Sequence, residues 1–149
     1  MNPDKAYEWL RNNSIETAYI VSGAEVLAWD QRTYMPPKAH PHRAEQMAMM
    51  AKLLHERSTD AQIGERLSIV EGSDLVADPL SPAAVNVREW RRDYEHSTRI
   101  PQRLATELAR VTAQGESAWE VARPNNDWEA FAPHLSRTLE LLREKAEVI

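Results

Sequence analysis

No cysteine occurs among the 149 residues. Disulfide frameworks, thiolate nucleophiles, zinc fingers and iron–sulfur clusters all need that sulfur and are excluded together. Any metal site would have to use histidine and carboxylate. Glycine is scarce, at four isolated residues, so there is no glycine-rich phosphate loop and no Gly-x-Ser-x-Gly elbow. Long apolar runs are missing too: the best candidate, Ala18 to Trp29, is interrupted by Ser22, Gly23 and Glu25, whereas a membrane helix needs roughly 18–20 apolar residues. The opening Met1-Asn2-Pro3-Asp4-Lys5 has neither a basic, apolar signal pattern nor an arginine-rich leader, and the expected location is cytoplasmic. A basic excess is also lacking. Net charge is −5, with 8 basic and 11 acidic groups in residues 1–75 and 10 and 12 in residues 76–149. Nucleic acid and anionic membrane both want a concentrated basic surface, so neither is an expected partner.

What is abundant is Ala, Leu, Glu and Arg, the composition of helices, and no stretch alternates in the period-two manner of strands. The expected fold is all-α, an antiparallel bundle of about six helices in a single domain, 1–149, with enough chain for one sizeable core. Helix one starts at Pro3 with Asn2 as its cap and runs toward Trp29 on a stripe of Tyr7, Leu10, Ser14, Thr17, Val21, Ala24 and Ala28. Asn12, Asn13, Ser14 and Gly23 weaken its middle, which places a kink or break near Asn13. Pro36, Pro37 and Pro41 make residues 30–41 an extended connection. Helix two covers His42 to Arg57 and buries Ala44, Met47, Ala51 and Leu54. Helix three runs from Thr59 or Asp60 to Val70, with Thr59 as cap and Ile63, Leu67 and Val70 inward.

The breakers at 72–81 join two helical hairpins, 1–71 and 82–149. Ser81 caps helix four and Pro82 takes its first position; Ala83, Val87, Trp90 and Tyr94 face inward. Helix five begins at Pro101 and buries Leu104, Leu108, Val111, Ala118 and Ala122, with Gly115 admitting a close neighbour. Helix six, capped by Asn126 or Asp127, lays down Trp128, Phe131, Leu135, Thr138, Leu142 and Ala146, with Pro133 in its first turns. The five tryptophans, on helical stripes, read as core.

Chemistry is thin. His40-Pro41-His42 pairs two imidazoles in a loop without third and fourth ligands. His55-Glu56-Arg57-Ser58-Thr59 begins like a zinc-protease helix, but Thr59 stands where the second histidine belongs. Asp93-Tyr94-Glu95-His96 has the carboxylate-x-x-His spacing of di-iron bundles only once, and those bundles need it twice. Arg88, Arg91, Arg92, Arg99 and Arg103 are interleaved with Glu89, Asp93 and Glu95, and pairing along the helix, such as Arg91 with Glu95, is the expected use.

Trp29-Asp30-Gln31-Arg32-Thr33-Tyr34-Met35-Pro36-Pro37, then Arg43-Ala44-Glu45-Gln46 and Leu53-Leu54-His55-Glu56-Arg57, resemble the N-terminal region of the carboxypeptidase Taq family of zinc metallocarboxypeptidases. The resemblance continues through Asn86-Val87-Arg88-Glu89-Trp90-Arg91-Arg92-Asp93-Tyr94-Glu95, Pro101, Glu107-Leu108-Ala109, Trp119, Ala122-Arg123, Asn126-Asp127 and Phe131-Ala132-Pro133. It spans essentially the whole chain. Arg32 departs from it, standing where the family pattern has an acidic residue.

The resemblance implies an all-helical peptidase that removes single residues from peptide C-termini, using zinc held by a His-Glu-x-x-His helix and a later Glu. No position here matches a catalytic or metal-binding residue of that family, so this chain is expected to be inactive alone and to need no cofactor of its own. Zinc and a peptide substrate belong to the full-length enzyme. The chain is expected to be a piece of a longer peptidase, with a missing C-terminal catalytic part or self-association covering its exposed apolar faces. The alternative is a freestanding noncatalytic helical module that binds a protein partner or itself. Trp29, Asp30, Gln31, Thr33, Tyr34 and Pro36 are expected to be structural: Asp30 and Gln31 tie the proline-rich connection to a neighbouring helix, and Trp29 fills the core beneath. Arg88 and Arg92 are the candidates for contact with a substrate cleft.

Overall fold

The computed structural model describes residues 2–149. Among them are six α-helices and no strand, an all-α helical bundle: α1 (Pro3–Thr33), α2 (His40–Ser58), α3 (Ala61–Glu71), α4 (Pro82–Arg99), α5 (Gln102–Ala122) and α6 (Trp128–Val148). Three short 3₁₀ turns, Pro37–Ala39, Asp74–Val76 and Arg123–Asn125, lie in the connections.

Local chemistry explains the helix starts. Asn2 Oδ1 accepts from the Asp4 amide at 2.8 Å, Ser81 Oγ from the Ala84 amide at 3.2 Å, and Asp127 Oδ1 from the Ala130 amide at 3.0 Å. Each satisfies a donor that the first turn leaves orphaned. Asp60, and not Thr59, caps α3, accepting from the Gln62 amide at 2.9 Å. Thr59 instead donates to the His55 carbonyl at 2.7 Å and closes the end of α2.

Helix α1 is unbroken at Asn13. The Asn13 side chain is engaged by the Arg57 guanidinium at 2.8 Å, so it does not compete with its own backbone. Nor does α1 stop at Trp29. The Tyr34 and Met35 amides both reach the Asp30 carbonyl at 3.0 Å, and Pro36 constrains only the residue before it. The extended connection shrinks accordingly, and Pro41 falls in the first turn of α2, where a missing donor costs nothing.

Contacts group the chain into two compact units, the stretch through Val21 with Leu54–Arg99, and Ser22–Leu53 with Ile100–Ile149. Helices α1 and α2 thus each contribute to both. The first unit packs Ala6, Leu10, Ile63, Leu67, Val70 and Val87, with Tyr7, Trp90 and Tyr94 against them. Leu67 and Val70 are fully buried, and each such side chain contributes about 1.5–3 kcal/mol by leaving water. Asn86 donates to the Tyr7 hydroxyl at 2.8 Å, and the Tyr7 and Trp90 rings lie 5.6 Å apart. Arg91 grips Glu71 of α3 through two bonds of 2.7 and 2.8 Å, so its ion pair crosses helices instead of running along α4 to Glu95. Both hydrogen bonding and the Glu71 charge raise the Arg91 pKa further.

The second unit is built on Leu104, Val111 and Leu141, flanked by Ile100, Leu108 and Val148. The expected α6 stripe holds at Phe131, Leu135 and Thr138, which are half-buried, and departs from expectation beyond them: Leu141 is 2% exposed, while Leu142 and Ala146 are exposed. Close approach also occurs at a different glycine. A Cβ on Gly115 would meet only His134 at an ordinary 3.8 Å, whereas one on Gly64 would stand 2.9 Å from the Tyr94 ring. Asn126, in the left-handed region with φ 51°, turns the chain between α5 and α6, a conformation asparagine tolerates better than most residues.

Three tryptophans are not core. Trp29, Trp119 and Trp128 are exposed, while Trp9 and Trp90 are half-buried.

Candidate functional site

The end of α1 carries the Trp29-to-Pro36 stretch, and its polar residues tie helices together. Gln31 is 5% exposed and donates from Nε2 to the Ala113 carbonyl of α5 at 3.2 Å and to Glu116 at 3.4 Å. A buried amide earns its place only when its donors are used. Arg32, one residue on, pairs with Glu116 as well, and that hydrogen bond first, then the Glu116 charge, raises its pKa. The basic residue at this position therefore neutralises a carboxylate that Gln31 already touches.

Asp30 faces α2. Its Oδ2 accepts from Arg43 at 2.5 Å, and the Arg43 side chain is 9% exposed. The guanidinium also donates to the Leu27 carbonyl and to Gln46 Oε1 at 2.9 Å, so every face of a buried charge is engaged. Thr33 donates to the Trp29 carbonyl at 2.9 Å. Trp29 does not fill the core: it is 56% exposed and packs edge-on against Tyr34, itself exposed, with ring centres 5.5 Å apart. Pro36 is exposed and leads into the 3₁₀ turn.

Further along α5 and α2, Arg110 bridges Glu45 at 2.7 Å and Glu107 at 2.7 Å. The bond from Arg110 holds the Glu45 carboxyl below its ordinary value, and Arg110 is correspondingly raised. Sequence reasoning had Arg43 only as part of a family-like stretch, without its partner Asp30, and missed Glu116. Arg43 was visible in principle as a charged residue four before Met47, on the apolar face of α2; Glu116 carried no such signal.

The remaining candidates are dispersed. Arg88 and Arg92 lie exposed on α4, paired with Glu89 at 3.6 and 2.9 Å. His40 and His42 sit in the first turn of α2 and His55 in its last; fifteen helical residues separate His40 from His55, about 22 Å along the axis. The His-Glu-x-x-Thr stretch is a helix terminus closed by Thr59. Among the described residues no group of three or more His, Cys, Asp or Glu side chains could hold a metal ion. A catalytic zinc does not fit these residues, since it needs three protein ligands on one centre.

The family model for the carboxypeptidase Taq (M32) metallopeptidase matches residues 10–149. The chain belongs to this family. It corresponds to the N-terminal region of M32 members and lacks the metal-binding residues that catalysis requires. Thermostable carboxypeptidase 1 of Thermus thermophilus is 56% identical over 149 residues, all of this chain but 29% of that protein. Carboxypeptidase 1 of Bacillus subtilis is 25% identical over 116 residues, 77% of this chain and 23% of that one. The chain thus spans less than a third of the curated relatives it matches. Among solved structures, BsuCP superposes with a TM-score of 0.81 at 22% identity, covering 96% of this chain and 28% of that one. Trypanosoma cruzi metallocarboxypeptidase 1 gives 0.70 at 26% identity, covering 97% and 28%.

Proposed function

We propose that this M32 chain acts as the N-terminal helical part of a zinc-dependent carboxypeptidase that removes single residues from peptide C-termini, and is inactive by itself. The observation that carries this reading is the 56% identity across all 149 residues to a protein more than three times as long. The zinc and the residues that hold it would come from the remainder of such an enzyme, which would also be the chain's partner. Support for that partner comes from large apolar side chains left exposed, Tyr19 and Val26 of α1 and Trp128 of α6 among them. Self-association would cover the same surface. The Asp30–Gln31 junction supports a structural role for the Trp29-to-Pro36 stretch, since its polar atoms are spent on α2 and α5. Arg88 and Arg92 are 60% and 71% exposed, which leaves them available to a substrate carboxylate. An acidic, cysteine-free composition with no helix long and apolar enough to cross a membrane supports a cytoplasmic location.

The test is a chimera in which this chain replaces the matching 149 residues of the Thermus thermophilus relative. Zinc-dependent release of C-terminal residues, abolished by chelation and restored by zinc, is expected. A folded, zinc-loaded chimera that releases none would overturn the reading and favour the noncatalytic helical module.

A further inference from the structure

We draw no further inference here: the strongest candidate, the apolar groove lined by Trp119, Trp128 and Phe131 at the turn between α5 and α6, lies open in a chain that spans 29% of its Thermus thermophilus relative, and nothing in the structure shows what covers it.

Discussion

Removing Asp30 is expected to cost more stability than removing the arginine it pairs with. The Arg43 side chain is 9% exposed and Asp30's is 35% exposed, so the two ends of the pair face different solvents. In Asp30→Ala the guanidinium keeps the Leu27 carbonyl and Gln46 but stays buried without its counter-charge. Breaking a buried pair from one side costs about 3–5 kcal/mol, and the partial exposure of Asp30 points to the lower end, about 3 kcal/mol. Arg43→Met removes the buried charge together with its desolvation cost and leaves a carboxylate that water can reach. A loss of about 1–1.5 kcal/mol follows, typical of a volume-conserving change. The double variant should match Arg43→Met, giving a coupling of about 3 kcal/mol in magnitude, the whole of the Asp30→Ala loss. Urea titration followed by circular dichroism reads these differences directly. In a thermal scan, at about 2–4 °C per kcal/mol, Asp30→Ala should lose about 6–12 °C. The reasoning is refuted if Asp30→Ala loses no more than Arg43→Met, or if the single losses simply add.

Three further outcomes follow from the packing and the ion pairs. Gly64→Ala should destabilise by about 1 kcal/mol, because the clash with the Tyr94 ring outweighs the roughly 1 kcal/mol of helix propensity gained; in a Tyr94→Leu background the same change should become stabilising, as urea midpoints would show. Leu141→Ala should cost about 3–5 kcal/mol and Leu142→Ala about 0.5 kcal/mol or less, given 2% and 44% exposure, and equal losses would place the α6 register wrongly. The Glu45 and Glu144 carboxyls are held below their ordinary value of 4.5 by hydrogen bonds from Arg110 and Arg103. Their contribution to stability is therefore present above that value and lost as pH falls through the lowered folded one. Denaturant midpoints of Glu45→Gln and Glu144→Gln should accordingly depend less on pH than wild type as the pH falls through and below 4.5.

Much of the helical layout is local and was legible. Asn2, Ser81 and Asp127 cap through their own first turns, Pro82 opens α4, and the triplet Ile63, Leu67 and Val70 falls inward as its spacing predicts. Where two neighbouring residues can serve one stripe, spacing alone does not choose. Leu141 and Leu142 both fit a helical face, and packing against α5 selects Leu141. Tryptophan hydrophobicity misled at Trp29, Trp119 and Trp128, because an exposed tryptophan on a helical stripe looks the same in sequence as a buried one. The candidate junction was half legible. The Trp-Asp-Gln stretch and Arg43-Ala-Glu-Gln stood out as family-like, but the Gln31 contacts to Ala113 and Glu116 span 82 and 85 residues, beyond the reach of any periodicity. Arg91 likewise had Glu95 four residues away on its own helix, yet Glu71 offers both carboxylate oxygens in bidentate geometry, the stronger arrangement.

The central claim is that this chain carries the helical framework of an M32 enzyme and none of its metal chemistry. The most direct measurement is the zinc content of the purified chain after dialysis against a metal-free buffer, made together with an assay for release of C-terminal residues from a peptide. Zinc far below one ion per chain, with no release on adding zinc, is the result the account predicts. One tightly held zinc per chain, lost on substituting His40, His42 or His55, would contradict it.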